Sequence, residues 1–217
     1  MSAAEEASGR AAIVVAAHRL EALGLNQGTA GNIGLRIEGG LLVTPTGLPP
    51  AALEDDDVVA LDAGGEIRTG ERRRPTSEWR LHAAVLAARP DVGAVIHTHS
   101  PEATAVACLR RNLPAVHYVV AWTGRPTVPC ADYATYGSAE LAANVVAALG
   151  DGGACLMANH GLLTVAATLD RAVAVAADVE WLARVHRLAV AQGEPMVLPD
   201  DEIARVADRF RTYGQPS

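Results

Sequence analysis

The chain has 217 residues, half of them hydrophobic, enough to bury one substantial core and too apolar for a disordered segment. Its 18 basic and 25 acidic side chains give a formal charge of −7, and the one basic run, Arg72-Arg73-Arg74, reads as a solvated loop, so the balance counts against nucleic-acid binding. All 18 basic residues are arginine: without lysine there is no Schiff base, no covalent pyridoxal phosphate and no P-loop, and carbanion chemistry would need a metal as its electron sink.

Met1 to Ala12 is acidic and Ala-rich, lacks the basic start and apolar stretch of a signal peptide, and stands as a candidate disordered segment. Ala11 to Leu23 predicts a helix, with Ile13, Val14, Ala17 and Leu20 on one face. A glycine-rich loop, Asn26 to Asn32, leads into a hairpin through Ile33 to Ile37 and Leu41 to Val43, and Thr44-Pro45-Thr46-Gly47 breaks it. Val58 to Leu61 and Ile67 suggest another strand pair. Pro75-Thr76-Ser77-Glu78 begins a helix reaching about Ala88, with Glu78 in its first turn. Val92 to His99 predicts a strand, Ala103 to Leu109 a helix, Ala115 to Val120 a strand and Ser138 to Leu149 a helix.

Gly152 to Leu169 carries no Asp, Glu, Lys or Arg, but Asn159, His160 and several glycines divide it into two buried strands rather than a bilayer helix. Helices from Leu169 to Gln192 and from Asp200 to about Arg211 close the chain, with a mobile tail expected from about Thr212. Cys108, Cys130 and Cys155 are odd in number and widely spaced, and read as reduced core cysteines of a cytoplasmic protein. Helices interleaved with hairpins imply a single α/β domain over residues 1–217, with a largely antiparallel sheet covered by helices.

His18, His82 and His186 lie on predicted helices and read as structural, and His117 is ambiguous. His97 and His99 are different. They end an apolar strand two residues apart, so both point to one face with Cα atoms about 7 Å apart, and two rings can converge on one ion. His160 stands in a turn between two apolar strands, where a lone polar ring is costly to bury. Three imidazoles suit a catalytic metal with an open coordination position. Glu78 is the natural fourth member, as a general base or as a capping carboxylate. Three loops, Gly31-Asn32, Thr46-Gly47 and Thr76-Ser77, pair hydroxyl or amide groups with backbone N–H, and the last sits at a helix N-terminus that favours anions.

The ordered motifs GTAGNIGLRI (28–37), LLVTPTGLP (41–49), PTSEWRLHAA (75–84), AVIHTHSPEATAVA (94–107), LPAVHY (113–118), VPCADYATYGS (128–138) and NHGLL (159–163) resemble the class II aldolase/adducin family, in particular its members acting on L-fuculose 1-phosphate. The resemblance spans about Leu23 to Tyr213. It implies a three-layer α/β/α domain, a homotetramer with active sites between subunits, and Zn²⁺, with Mn²⁺ or Co²⁺ as alternatives, on His97, His99 and His160. It implies Glu78 as acid/base and optional fourth ligand, and a substrate phosphate held by Gly31, Asn32, Thr46, Gly47, Thr76 and Ser77.

Tyr118 matches a tyrosine that reaches the aldehyde end of the substrate across the subunit interface. Tyr136 stands where similar family members carry Phe and is a weaker candidate for the same end, and Tyr213 weakly matches a mobile-tail tyrosine of the family. The implied reaction cleaves a ketose 1-phosphate to dihydroxyacetone phosphate and an aldehyde. A 5-deoxyribulose or methylthioribulose 1-phosphate substrate, a methylthioribulose-phosphate dehydratase, a ribulose-5-phosphate 4-epimerase and, outside catalysis, an adducin-head-like interaction module are the alternatives. The epimerases carry Asp where this chain has Glu78, the HY context of Tyr118 speaks for an aldolase over the dehydratase, and the adducin branch is expected to lose metal ligands, all of which favours the aldolase.

Overall fold

The computed structural model describes residues 3–213. Helix α1 spans Ala3–Ala22, so it reaches back through the segment expected to be disordered. Glu5 and Glu6 lie in its first turn, where carboxylates complement the helix dipole. Arg10 then ties the helix down, pairing with Glu6 at 2.8 Å and bonding Glu71 and the Val58 carbonyl.

Seven strands follow: β1 (Asn32–Ile37), β2 (Gly40–Val43), β3 (Val59–Asp62), β4 (Ala94–Thr98), β5 (Cys130–Ala131), β6 (Ala154–Met157) and β7 (Gly161–Ala166). They form one sheet in the order β3-β2-β1-β4-β7-β6-β5, antiparallel throughout except for the β5–β6 pair. The remaining helices are α2 (Trp79–Ala88), α3 (Pro101–Cys108), α4 (Ala139–Leu149), α5 (Leu169–Val190) and α6 (Asp200–Phe210).

Side-chain alternation divides the core into two halves. Ile33, Leu42, Ile96, Leu156 and Leu162 pack with α1, α3 and α5, whereas Val43, Val95, Met157, Leu163 and Val165 pack with α2 and α4. The result is three layers, helix, sheet and helix, built almost entirely from aliphatic side chains. Among the described residues, no helix is long and apolar enough to cross a membrane.

Two stretches differ from the expectation. Ala115 to Val120 is not a strand; it turns into a 3-10 segment, Tyr118–Thr123, with the His117 Nδ1 accepting the Val119 N–H. Pro114 has no N–H to give a ladder, and only one bridge, Leu113 to Val128, forms beside it. Ile67 likewise makes a single bridge, to Leu61, rather than a strand. Of the three free cysteines only Cys155 is in the core, and Cys108 is exposed.

The antiparallel order has a direct consequence for function. The start of β1, the ends of β2, β4 and β6 and the start of β7 all come to one end of the sheet, and the short parallel β5 also finishes there. Asn32, Thr44 to Gly47, His97, His99, His160 and the segment after Ala131 are therefore neighbours, although they span more than half of the sequence.

Candidate metal and phosphate site

His97 is the penultimate residue of the fully buried β4, directly opposite Asn32 of β1 on one side and Leu163 of β7 on the other. Its Nδ1–H donates to the Leu162 carbonyl at 3.0 Å, which leaves Nε2 as a bare lone pair. The His99 Nε2 lies 3.0 Å from that atom. His160, in the turn between β6 and β7, completes the group: its ring centroid is 4.7 Å from that of His97 and 5.2 Å from that of His99. One ligand atom from each of the three lies within 4.8 Å of the others, close enough to hold one metal ion.

Burial pushes the His97 pKa well below the usual imidazole range, and the neighbouring His160 and His99 push it further. Burial lowers His99 as well, with His160 adding to the effect. Neutral rings with lone pairs aimed at one point repel one another until a cation lies between them, which is the donor chemistry a divalent ion requires.

Glu78 faces the same point. Its Oε2 lies 3.4 Å from His97 Nε2 and its Oε1 3.5 Å from His160 Nε2. Oε1 is buried without a hydrogen-bond partner, an orphaned position that a bound ion or a proton would satisfy. The residue is the N-cap of α2, at φ −101° and ψ 14°, and not a member of its first turn as the sequence suggests. The Thr76 hydroxyl accepts the Glu78 N–H at 3.3 Å and fixes this entry.

A hydrogen-bonded chain behind the carboxylate escapes sequence reading. Asn32 Nδ2 donates to Glu78 Oε2 at 2.9 Å, and His82 Nε2 lies 2.5 Å from Asn32 Oδ1. Because that Asn32 oxygen accepts, the histidine must carry its proton on Nε2. His82 is completely buried, and burial lowers its pKa to about 3, so the ring is neutral. It fits only because residue 34 is glycine, where a Cβ would stand 2.6 Å from His82 Nδ1.

The three loops expected to bind an anion meet in one cleft of about 360 Å³, lined by Gly31, Asn32, Thr46, Gly47, Thr76 and Ser77 together with Glu78, His99 and His160. Backbone bonds zip two of them together, from Thr46 N–H to the Arg74 carbonyl and from Thr76 N–H to the Thr44 carbonyl. Among the described residues no Lys or Arg lines the cleft, so an anion there would rest on neutral donors and the α2 N-terminus. Gly31, at φ +77°, passes so close to Asn26 that a Cβ would lie 2.3 Å from its side-chain oxygen. That oxygen accepts the His99 N–H at 3.2 Å and links the glycine loop to the histidines.

A family model, the class II aldolase and adducin N-terminal domain, matches residues 11–187. The chain belongs to the class II aldolase/adducin family. It is 46% identical over 205 residues to a 5-methylthioribulose-1-phosphate/5-deoxyribulose-1-phosphate aldolase of Rhodospirillum rubrum, covering 94% of this chain and 92% of that one. It is 44% identical over 193 residues to an L-fuculose phosphate aldolase of Escherichia coli strain K12, covering 88% and 89%. A solved L-fuculose 1-phosphate aldolase superposes with a TM-score of 0.91 at 36% identity, covering 97% of this chain and 98% of that one. The protein is thus a class II aldolase, a lyase, with a histidine cluster able to hold a metal.

Tyr133 and Tyr136 also line this aldolase's cleft. Tyr133 was not among the expected site residues, since nothing in its spacing marks it. Tyr118 does not line the cleft of its own chain; it is half exposed and packs on His117, with Phe210 nearby. Tyr213 is also exposed and away from the cleft, and the tail beyond it lies outside the described residues.

Proposed function

We propose that this class II aldolase cleaves a ketose 1-phosphate to dihydroxyacetone phosphate and an aldehyde, using one divalent ion, Zn²⁺ in the first instance and Mn²⁺ or Co²⁺ as alternatives, on His97, His99 and His160. The observation that carries the proposal is the convergence of three imidazoles and a Glu78 oxygen without a hydrogen-bond partner beside a cleft lined with neutral donors. When bound, the ion supplies a Lewis acid that lets a ketose carbonyl accept the electron pair of the breaking carbon–carbon bond.

The chain's own groups do the rest. Backbone N–H groups at Gly31 and Gly47, the Asn32 amide and the hydroxyls of Thr46, Thr76 and Ser77 grip the phosphate. Glu78 Oε1 carries the proton that ends on the carbon released from the bond, and in synthesis removes it from that carbon. The Asn32–His82 chain holds the other carboxylate oxygen still, so only Oε1 is available.

Tyr118 takes the hydroxyl proton at the aldehyde end. Its exposure and its absence from its own cleft fit a residue that serves a neighbouring subunit, in keeping with the homotetramer with shared sites that the family resemblance implies.

Two substrate classes have specific support. The similarity to the Escherichia coli enzyme favours L-fuculose 1-phosphate, and that to the Rhodospirillum rubrum enzyme favours 5-methylthioribulose or 5-deoxyribulose 1-phosphate. Tyr133 and Tyr136 form the wall the aldehyde portion would meet. The test is a panel of these ketose 1-phosphates assayed for dihydroxyacetone phosphate release with and without a chelator. Release should stop on chelation and return with metal. Glu78→Gln, at full metal occupancy, should lower turnover by about 10²-fold or more. Near-normal cleavage by that variant would remove Glu78 from the chemistry.

A further inference from the structure

Among the described residues only two that are not glycine adopt a positive φ: Arg110 at 54° and Asn159 at 52°. They lie 49 residues apart and are bonded to each other, with Arg110 Nε donating to Asn159 Oδ1 at 2.7 Å. Both backbones also converge on one acceptor, since the Arg110 and Asn159 N–H groups donate to the Ala107 carbonyl at 3.0 and 3.1 Å. Arg110 follows the C-cap of α3, a left-handed position where glycine would be unstrained. Asn159 is the third residue of the turn closed by His160 N–H on the Met157 carbonyl, a position that asparagine tolerates and glycine prefers.

Immediately after Asn159 comes His160. The His97 ring is held by a carbonyl on its far nitrogen, whereas no such hydrogen bond to the His160 ring is found among the described residues. Apart from Glu78 Oε1, 3.5 Å from its Nε2, what directs that ring is the turn that carries it.

We propose that Arg110 is a positioning residue for the metal centre. Through Asn159 it locks the β6–β7 turn in its left-handed form, and so fixes His160 where its nitrogen meets those of His97 and His99. The strain of a non-glycine residue at the end of α3 is offset by that side-chain bond. The inference rests on the reading of His97, His99 and His160 as ligands. Its geometric premise is independent of which sugar phosphate is cleaved.

The test is a double-mutant cycle read out by Zn²⁺ affinity, measured by competition with a chromophoric chelator, and by the d–d absorption of the Co²⁺-loaded protein. R110A, at an exposed position, should fold normally by circular dichroism, bind Zn²⁺ about 10-fold more weakly and shift the Co²⁺ spectrum. In the N159G background, where the turn needs no lock and the acceptor is gone, R110A should change the affinity by less than about 2-fold. Wild-type affinity in R110A, or an equal loss in both backgrounds, would overturn the proposal. H160A separates it from the ligand reading: if that variant binds Zn²⁺ as tightly as the wild type, the ligand assignment itself fails, whatever Arg110 does.

Discussion

His82 shows how one buried side chain can govern a carboxylate it never touches. Its Nε2–H orients the Asn32 amide, and the amide holds Glu78. His82→Leu removes the donor and frees the amide to rotate, so turnover should fall about 10-fold while bound metal, measured by elemental analysis, stays near one per chain. Equal turnover would show that Glu78 is held in some other way. The same ring makes stability depend on pH. Its folded pKa, about 3, lies below its ordinary value of 6.5, so between these limits the unfolded chain binds a proton that the folded chain refuses. Stability contributed by the neutral ring is complete above pH 6.5 and is lost as pH falls toward 3, by about 1.4 kcal/mol per pH unit inside that window. Metal-free protein should therefore melt at progressively lower temperature from pH 6.5 to 4.5, and His82→Leu should flatten that slope. The sequence makes the convergent histidines legible, because two rings on one strand face and a third in a tight turn between apolar strands are costly to bury unless they share a partner. His82 was not legible, since its partner lies 50 residues away and becomes a neighbour only when α2 packs on β1.

At the scale of elements, the turn into β7 has the least room for change. A Cβ at Gly161 would lie 2.4 Å from the Thr98 carbonyl and 3.1 Å from atoms of the His97 and His99 rings. Gly161→Ala must push β7 away from β4 where Thr98 pairs with Leu162, and should cost about 1–3 kcal/mol of stability in denaturant unfolding together with most of the metal affinity. A variant with unchanged unfolding and unchanged metal binding would contradict this packing. On the opposite face of the sheet, α5 caps α3: the Glu180 carboxylate accepts the N–H groups of Glu102 and Ala103 at 2.9 and 2.8 Å. Glu180→Ala leaves both donors open and should cost about 1–2 kcal/mol by the same measurement. The long periodic elements, α5 and the β1–β2 hairpin, follow from the sequence pattern. The short ones do not: β5 is two residues long, too brief to show any period, and Ala115 to Val120 has the apolar content of a strand without a sheet edge to join. The start of α1 was hidden for another reason, because its anchors, Glu71 and the Val58 carbonyl, are distant in sequence.

For the whole molecule, the antiparallel order brings loops from both halves of the chain to one end of the sheet, and the site follows from that topology more than from any single motif. The C-terminal helix is attached by a different device. Trp122 lies between the Arg171 guanidinium, 3.9 Å from the ring centre, and Phe210 of α6, stacked at 3.9 Å. Trp122→Ala should loosen α6 and raise amide hydrogen exchange over Asp200–Phe210 while leaving the sheet protected; unchanged exchange there would show that the stack is not what fastens it. At the other end of the fold, the proposed cleavage depends on His97, His99 and His160 sharing one ion. X-ray absorption at the metal edge of the Zn²⁺-loaded protein addresses this most directly. Three imidazole nitrogens are expected at roughly 2.0–2.1 Å with the rest of the shell oxygen, and one imidazole should be lost in His160→Ala. A shell containing sulfur, or one unchanged when His160 is removed, would contradict it.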